Sequence, residues 1–169
     1  MSVMRTCRPT YIQQPLGRLA PHGIKPARTI RFHVLMGVED GRIALRYHQE
    51  KADGHDPVEQ EYIAIEEDAV VEIHLHGDQI FFSKELDAIT TKEELDGFYG
   101  ALEYDGYDEK LDHYRVARFV AKHNKGGKYD TTHPFNINVD FLQQHCGGKP
   151  KWIVLTIDPD IKNPPPMRT

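Results

Sequence analysis

The chain of 169 residues carries 21 basic and 26 acidic side chains, a net charge of −5, and 39% hydrophobic residues. That length suits one domain with a core large enough to need neither disulfides nor a structural metal, and the net acidity disfavours non-specific nucleic-acid binding. Cys7 and Cys146 form no Cys-x-x-Cys pair, and no run approaches the roughly 20 apolar residues of a membrane span or a signal-peptide core, so the chain reads as soluble and cytoplasmic.

Residues 1 to 28 hold Arg5, Arg8, Arg18, Lys25 and Arg28 and no acid, together with Pro9, Pro15, Pro21 and Pro26. The segment lacks a period of two or 3.6 residues and reads as an extended basic arm, ordinarily poorly ordered unless it docks on the acidic body or a partner. From Thr29 the pattern changes. Ile30, Phe32, Val34 and Met36 alternate with Arg31, His33 and Leu35, and Glu39-Asp40-Gly41 then turns the chain into Ile43, Leu45 and Tyr47. A polar loop with Asp53-Gly54 and Asp56-Pro57 follows, and further strands are expected at Gln60 to Ile65, Val70 to His76 and Ile80 to Phe82.

Residues 84 to 112 break the rhythm. Thr90-Thr91-Lys92-Glu93-Glu94 offers a capped helix start, with Leu95, Phe98, Tyr99 and Leu102 on one face, so a short helical insertion is expected near 91–102. Ten acids stand against three lysines here, the pattern of a solvated surface, and Asp105-Gly106-Tyr107-Asp108 does not fit a calcium loop. Strands resume at Tyr114 to Ala121, at Phe135 to Phe141 and at Trp152 to Ile157, after which the proline-rich tail cannot continue a central strand. The expected fold is all-β: an antiparallel sandwich, immunoglobulin-like or jelly-roll, over residues 29–169.

Glu72-Ile-His74-Leu-His76-Gly-Asp78 is the most pointed stretch for chemistry, because strand alternation sends Glu72, His74, His76 and Asp78 to one face and Val71, Ile73 and Leu75 to the other. Such a row suits a divalent metal, Fe or Zn, and it equally suits the wet face of an ordinary sheet. The cupin pattern fails, since Ile80 and Phe81 stand where its glutamate is required. His76-Gly77-Asp78 resembles the His-x-Asp of iron- and oxoglutarate-dependent dioxygenases, which implies a distal histidine, His133 or His123. The arginine those enzymes place after the distal histidine is missing after His133.

A second candidate is the loop Lys122-His123-Asn124-Lys125-Gly126-Gly127-Lys128, whose lysines and glycine backbone suit a phosphate, although the full P-loop spacing is absent. No Gly-x-Ser-x-Gly elbow is present. At the C-terminal end, Trp152-Ile-Val-Leu-Thr-Ile157 followed by Asp158-Pro159 and Asn163-Pro164 resembles the DP-EP family of bacterial proteins. That resemblance implies a small bacterial β-sandwich of undefined function with no catalytic residues to carry over. Taken together, the residues read as a binding or interaction module without chemistry of its own, its partner an unnamed protein or small molecule, and an oligomer left open. The alternatives are a metal-dependent enzyme built on His74, His76, Asp78 and His133, and a nucleotide binder using the Lys122 to Lys128 loop.

Overall fold

Alternating apolar residues produce strands with one buried face, and the computed structural model describes them over residues 12–26, 28–50, 58–127, 131–143 and 149–165. In chain order the strands are β1 (Gln14–Pro15), β2 (Arg28–Glu39), β3 (Arg42–Gln49), β4 (Val58–Glu59), β5 (Tyr62–Ala64), β6 (Ala69–His76) and β7 (Ile80–Phe82). They continue as β8 (Ile89–Thr91), β9 (Tyr99–Asp108), β10 (His113–Ala121), β11 (Thr132–Gln143), β12 (Lys151–Ile157) and β13 (Asp160–Lys162), with one 3-10 turn at Lys125–Gly127.

Two sheets pack face to face. The first has the order β4-β3-β2-β6-β10-β9. The second is built around β11, which pairs with β7 and β8 along one edge and with β12 and β13 along the other; β1 lies beyond β8 and β5 beyond β13. Between them sit Ile30, Phe32 and Val34 of β2, Val71, Ile73 and Leu75 of β6 and Ala117 and Phe119 of β10, against Phe135, Ile137 and Val139 of β11 with Ile80, Phe82, Ile89 and Ile161. Phe32, Ile73, Phe119 and Ile137 have no exposed surface, and each such side chain contributes about 1.5–3 kcal/mol on burial. Among the described residues no helix is long and apolar enough to cross a membrane.

The all-β sandwich agrees with the sequence, but both sheets are mixed. β2 pairs with β6 in parallel, and so does β5 with β13, where a purely antiparallel immunoglobulin-like or jelly-roll ladder was expected. The helix expected near 91–102 is also absent. Thr91 Oγ1 donates to the Glu93 carbonyl instead of capping a helix, Phe98 and Tyr99 N–H both reach the Leu95 carbonyl at 3.0 Å to close a single turn, and Tyr99 then enters β9. Leu95 and Tyr99 are both buried, so the spacing that reads as a helical face serves one turn and one strand.

The described part of the basic arm is docked. Asn136 Nδ2 donates to the Ile12 carbonyl at 2.9 Å, Leu16 is buried, and Gly17 bridges to β9 through Gly17 N–H to Tyr99 O and Ala101 N–H to Gly17 O, both 2.9 Å. Residues 1–11, including Cys7, and Cys146 lie outside the described residues. A β-carbon added at Gly100 would stand 2.1 Å from the Leu19 carbonyl oxygen and 3.0 Å from that of Gly17, both backbone atoms that cannot rotate away. Gly100→Ala is therefore expected to lift residues 16–19 from β9 and to cost about 1–3 kcal/mol, as overpacking does. Urea denaturation with amide exchange checks this; unchanged protection at Gly17 and Ala101 would contradict it.

Candidate functional site

The parallel pairing of β2 with β6 decides which side chains share the outer face of the six-stranded sheet. Arg31 lies opposite Glu72, His33 opposite His74 and Leu35 opposite His76. On the far side of β2, His33 faces His48, Leu35 faces Arg46, and Glu50 continues the ladder through its N–H to the Arg31 carbonyl, 2.9 Å. On the far side of β6, β10 sets Arg118 against Glu72 and Val116 against His74, and β9 sets Glu103 against Arg118, Asp105 against Val116 and Tyr107 against Tyr114. Cross-strand partners share a face, so the face is a grid of three rows. One reads Glu103, Arg118, Glu72, Arg31, Glu50; the next Asp105, Val116, His74, His33, His48; the third, past the end of the β6–β10 pairing, His76, Leu35, Arg46.

The first row alternates in charge and is closed by ion pairs. Arg118 meets Glu72 at 3.4 Å and Asp105 at 2.9 Å, while Arg31 meets Glu72 at 3.4 Å and Glu50 at 3.7 Å. Burial works to raise the Glu72 pKa, but the hydrogen bond from His74 Nε2 at 3.0 Å and the charges of Arg118 and Arg31 outweigh it and hold this carboxyl below its ordinary range. Asp105 is likewise held low, by its bond from Arg118 and by the Gly106 N–H.

The histidines behave differently. His33, His74 and His76 form a triangle, with ring centroids 4.9 Å apart for His33 and His76 and 5.2 Å for His33 and His74. His33 Nε2 lies 2.9 Å from Glu50 Oε1, and its Nδ1 lies 2.7 Å from His76 Nε2. A carboxylate only accepts, so His33 Nε2 donates; in a neutral His33 the Nδ1 then accepts, and His76 Nε2 must donate to it. The lone pair of His76 is thereby fixed on Nδ1, which has no hydrogen-bond partner among the described residues. Desolvation, together with the neighbouring His33, His74 and Arg115, pushes the His76 pKa below its ordinary 6.5, so the ring is neutral at neutral pH. A neutral imidazole with an oriented, unused lone pair, backed by a second imidazole and a carboxylate, is equipped to take a proton.

The metal set expected from the sequence does not assemble. His74 and His76 share the outer face, but Asp78 is exposed in the turn after β6, and His133 is buried inside the sandwich with Nδ1 2.6 Å from the Tyr99 hydroxyl. His133 thus lies behind the sheet whose front carries His76, and no group of three or more metal-ligating side chains able to hold an ion occurs among the described residues. The Lys122 to Lys128 loop joins β10 to β11. Lys122 N–H reaches the Phe98 carbonyl at 2.7 Å, His123 N–H reaches Asp68 at 2.8 Å, and Lys125 to Gly127 make the 3-10 turn; Lys128 lies outside the described residues. Because Ala121 pairs with Ala69, this loop sits at the start of β6, about 23 Å along the strand from His76. His33 and Glu50 are the members of this candidate site that the sequence alone does not single out. His33 was visible as a polar position of the β2 alternation, but nothing local showed that β2 would lie beside β6.

A model of the pNTSase1 family, described as a predicted novel nucleotide synthetase, matches residues 6–166. The chain belongs to this family. Membership in pNTSase1 overturns the expectation of a binding or interaction module without chemistry of its own, and it does not point to an oxoglutarate-dependent dioxygenase. No curated protein matches the chain.

The grid makes an electrostatic prediction. Because the folded-state pKa of Glu72 is depressed, its stabilisation is full above the ordinary glutamate value of 4.5 and is lost as pH falls through the folded value. Glu72→Gln is expected to cost up to about 1 kcal/mol near neutrality, and the gap to wild type is expected to close on acidification. Urea midpoints measured against pH check this, and a gap independent of pH would contradict it.

Proposed function

We propose that this member of pNTSase1 is a nucleotide-synthesising enzyme whose chemistry runs on the outer face of β2 and β6, with His76 as general base. The observation that carries this reading is the chain Glu50, His33, His76, which leaves one imidazole nitrogen oriented and unpaired on the face that also carries the guanidiniums of Arg31 and Arg118. The reaction that suits it is nucleotidyl transfer. His76 Nδ1 removes the proton from a sugar hydroxyl, the hydroxyl oxygen bonds to the α-phosphorus of a nucleoside triphosphate, and the phosphoanhydride bond breaks to release pyrophosphate. The positive charge gained by His76 is relayed through its Nε2–H to His33 and is met by the Glu50 carboxylate.

Arg31, Arg118 and Arg46 are arginines of the face, and each is already balanced by acids. The face therefore suits a triphosphate that brings its own divalent counter-ion better than one carrying its full negative charge. The likeness to the DP-EP proteins, confined to Trp152 to Pro164, contributes no residue to this site.

The test is to incubate the purified protein with each nucleoside triphosphate and Mg²⁺ and to follow pyrophosphate release and new nucleotide products by anion-exchange chromatography. His76→Ala is expected to lower the rate by about 100-fold or more, the range of a lost general base, and Glu50→Gln by less. The acid limb of kcat/KM is expected below the ordinary 6.5 of histidine, because only neutral His76 accepts the proton. Product formation by His76→Ala at the wild-type rate would move the chemistry elsewhere, and no product from any nucleoside triphosphate would overturn the reading.

A further inference from the structure

Each guanidinium in the ion-pair row is answered by a carboxylate, but the arginine at the end of β6 is not. Arg115 stands one residue before Val116, where the pairing of β10 with β6 ends, and two before the buried Ala117, so it starts on the core-facing side of β10. Its guanidinium leaves that side. Arg115 Nη1 donates to the carbonyl of Gly77, the residue that follows His76, and the guanidinium carbon lies 4.1 Å from the centroid of the fully buried Phe81 ring. The side chain is partly exposed, and among the described residues no carboxylate forms an ion pair with it.

This arginine is held in place without being neutralised. The Gly77 carbonyl takes one of its five N–H donors, Phe81 covers one face of the guanidinium plane by cation–π attraction, and no other hydrogen bond from Arg115 occurs among the described residues. The turn that supplies the carbonyl is itself fastened to β11, because Gln79 Nε2 donates to the Leu142 carbonyl at 2.9 Å and the Leu142 N–H donates to the Gln79 carbonyl at 2.8 Å. Burial first, then the charges of His33, His74 and Arg115, hold the His76 pKa below its ordinary 6.5, so the guanidinium is felt at that ring. At Arg31 or Arg118 an incoming phosphate competes with carboxylates already bound; at Arg115 it displaces only water.

We propose that Arg115 binds the β- and γ-phosphates of the nucleoside triphosphate and holds them as they leave as pyrophosphate. The inference rests on the reading of His76 as general base and adds the residue that grips the reacting polyphosphate. The planar fork of a guanidinium matches two phosphate oxygens at once, and a fork already fixed by Gly77 and Phe81 loses little freedom on binding them. As the sugar oxygen bonds to the α-phosphorus, the electron pair of the broken anhydride bond passes to the departing pyrophosphate. Arg115 meets that charge together with the divalent ion the substrate brings. Arg118, three residues and about 10 Å farther along β10, stays with Glu72 and Asp105. The phosphates are thereby kept at the His76 end of the sheet.

The experiment is calorimetric titration of the full-length protein with pyrophosphate and Mg²⁺, beside the kinetics of pyrophosphate release from each nucleoside triphosphate. Arg115→Gln is expected to weaken pyrophosphate by about 10- to 100-fold, and Arg115→Lys, which keeps the charge and loses the fork, by a smaller factor. Arg42→Gln removes the same charge from the exposed start of β3 and is expected to bind as wild type. Circular dichroism checks that each variant folds, and where Arg115→Gln does not, Arg115→Lys decides. Wild-type affinity for pyrophosphate in the folded Arg115 variants would overturn the proposal, and loss of product in His76→Ala would then leave the His76 reading standing. Equal weakening in Arg42→Gln would assign the effect to net charge and overturn it as well. A wild-type protein that binds no pyrophosphate overturns the role of Arg115, and one that also forms no product from any nucleoside triphosphate overturns both readings.

Discussion

Everything on the outer face depends on the parallel register of β2 on β6. That register is set from the other side of the sheet, where Ile30, Phe32 and Val34 must share the core with Val71, Ile73 and Leu75. A slip of one residue would turn each apolar row to water and each polar row inward, which the buried face forbids. The polar residues between them have no freedom left. Arg31 must meet Glu72, His33 must meet His74, and Leu35 must meet His76. The core thus fixes the geometry of a site to which it contributes no atom, and the site residues can be chosen for chemistry without altering the fold.

The three rows divide the work. The row from Glu103 to Glu50 is the ordinary currency of a sheet: opposite charges on neighbouring strands, each acid or base answered by its neighbour. Such a row stabilises and orients. It also makes the Glu50 carboxylate available to His33, because Arg31 touches one oxygen of Glu50 while His33 bonds the other. The histidine rows are less easily explained as surface. His33 and His74 are largely covered, and a stack of imidazoles gains little stability from mutual contact while each like charge disfavours the next. In the proposed reaction their value lies in the lone pair that the chain of hydrogen bonds leaves on His76.

Much of this was readable before any coordinates. The two-residue period placed Glu72, His74 and His76 on one face and identified the buried half of β2, β6 and β11, because burial writes alternation directly into sequence. What it could not supply was adjacency. A strand's neighbours in sequence are its first candidates for pairing, yet β6 lies beside β2, some 40 residues earlier, with β3, β4 and β5 between them. His33 and Glu50 were therefore passed over, and His133 was chosen as a distal partner although its strand belongs to the other sheet. The Leu95 to Leu102 spacing misled for a different reason. Apolar positions at 95, 98, 99 and 102 satisfy a helix, and they equally satisfy a turn that delivers Tyr99 into a strand; Gly100, admitted because the arm's backbone crosses there, decides for the strand.

Three histidine sites among the described residues can be compared, and the comparison shows why His76 suits the proposed proton transfer. His133 is buried against the Tyr99 hydroxyl, which Asn163 Nδ2 also contacts at 3.1 Å, so this cluster ties β9, β11 and the C-terminal segment together away from solvent. His113 is buried beneath Trp152, with ring centroids 3.9 Å apart; its Nδ1 lies 2.7 Å from the Leu111 carbonyl and its Nε2 2.8 Å from Asp140. Both of its nitrogens face acceptors, so neither is left to receive a proton from a substrate. Among the described residues a carboxylate stands beside an imidazole at Glu72 with His74, at Asp140 with His113 and at Glu50 with His33, and the last two have opposite consequences. At Asp140 the second nitrogen is spent on backbone, and the pair is a clasp. At Glu50 the second nitrogen is spent on another imidazole, which passes the orientation outward to an exposed lone pair. One further ring in the hydrogen-bond chain separates His113, whose nitrogens are both engaged, from His76, the base of the proposed reaction.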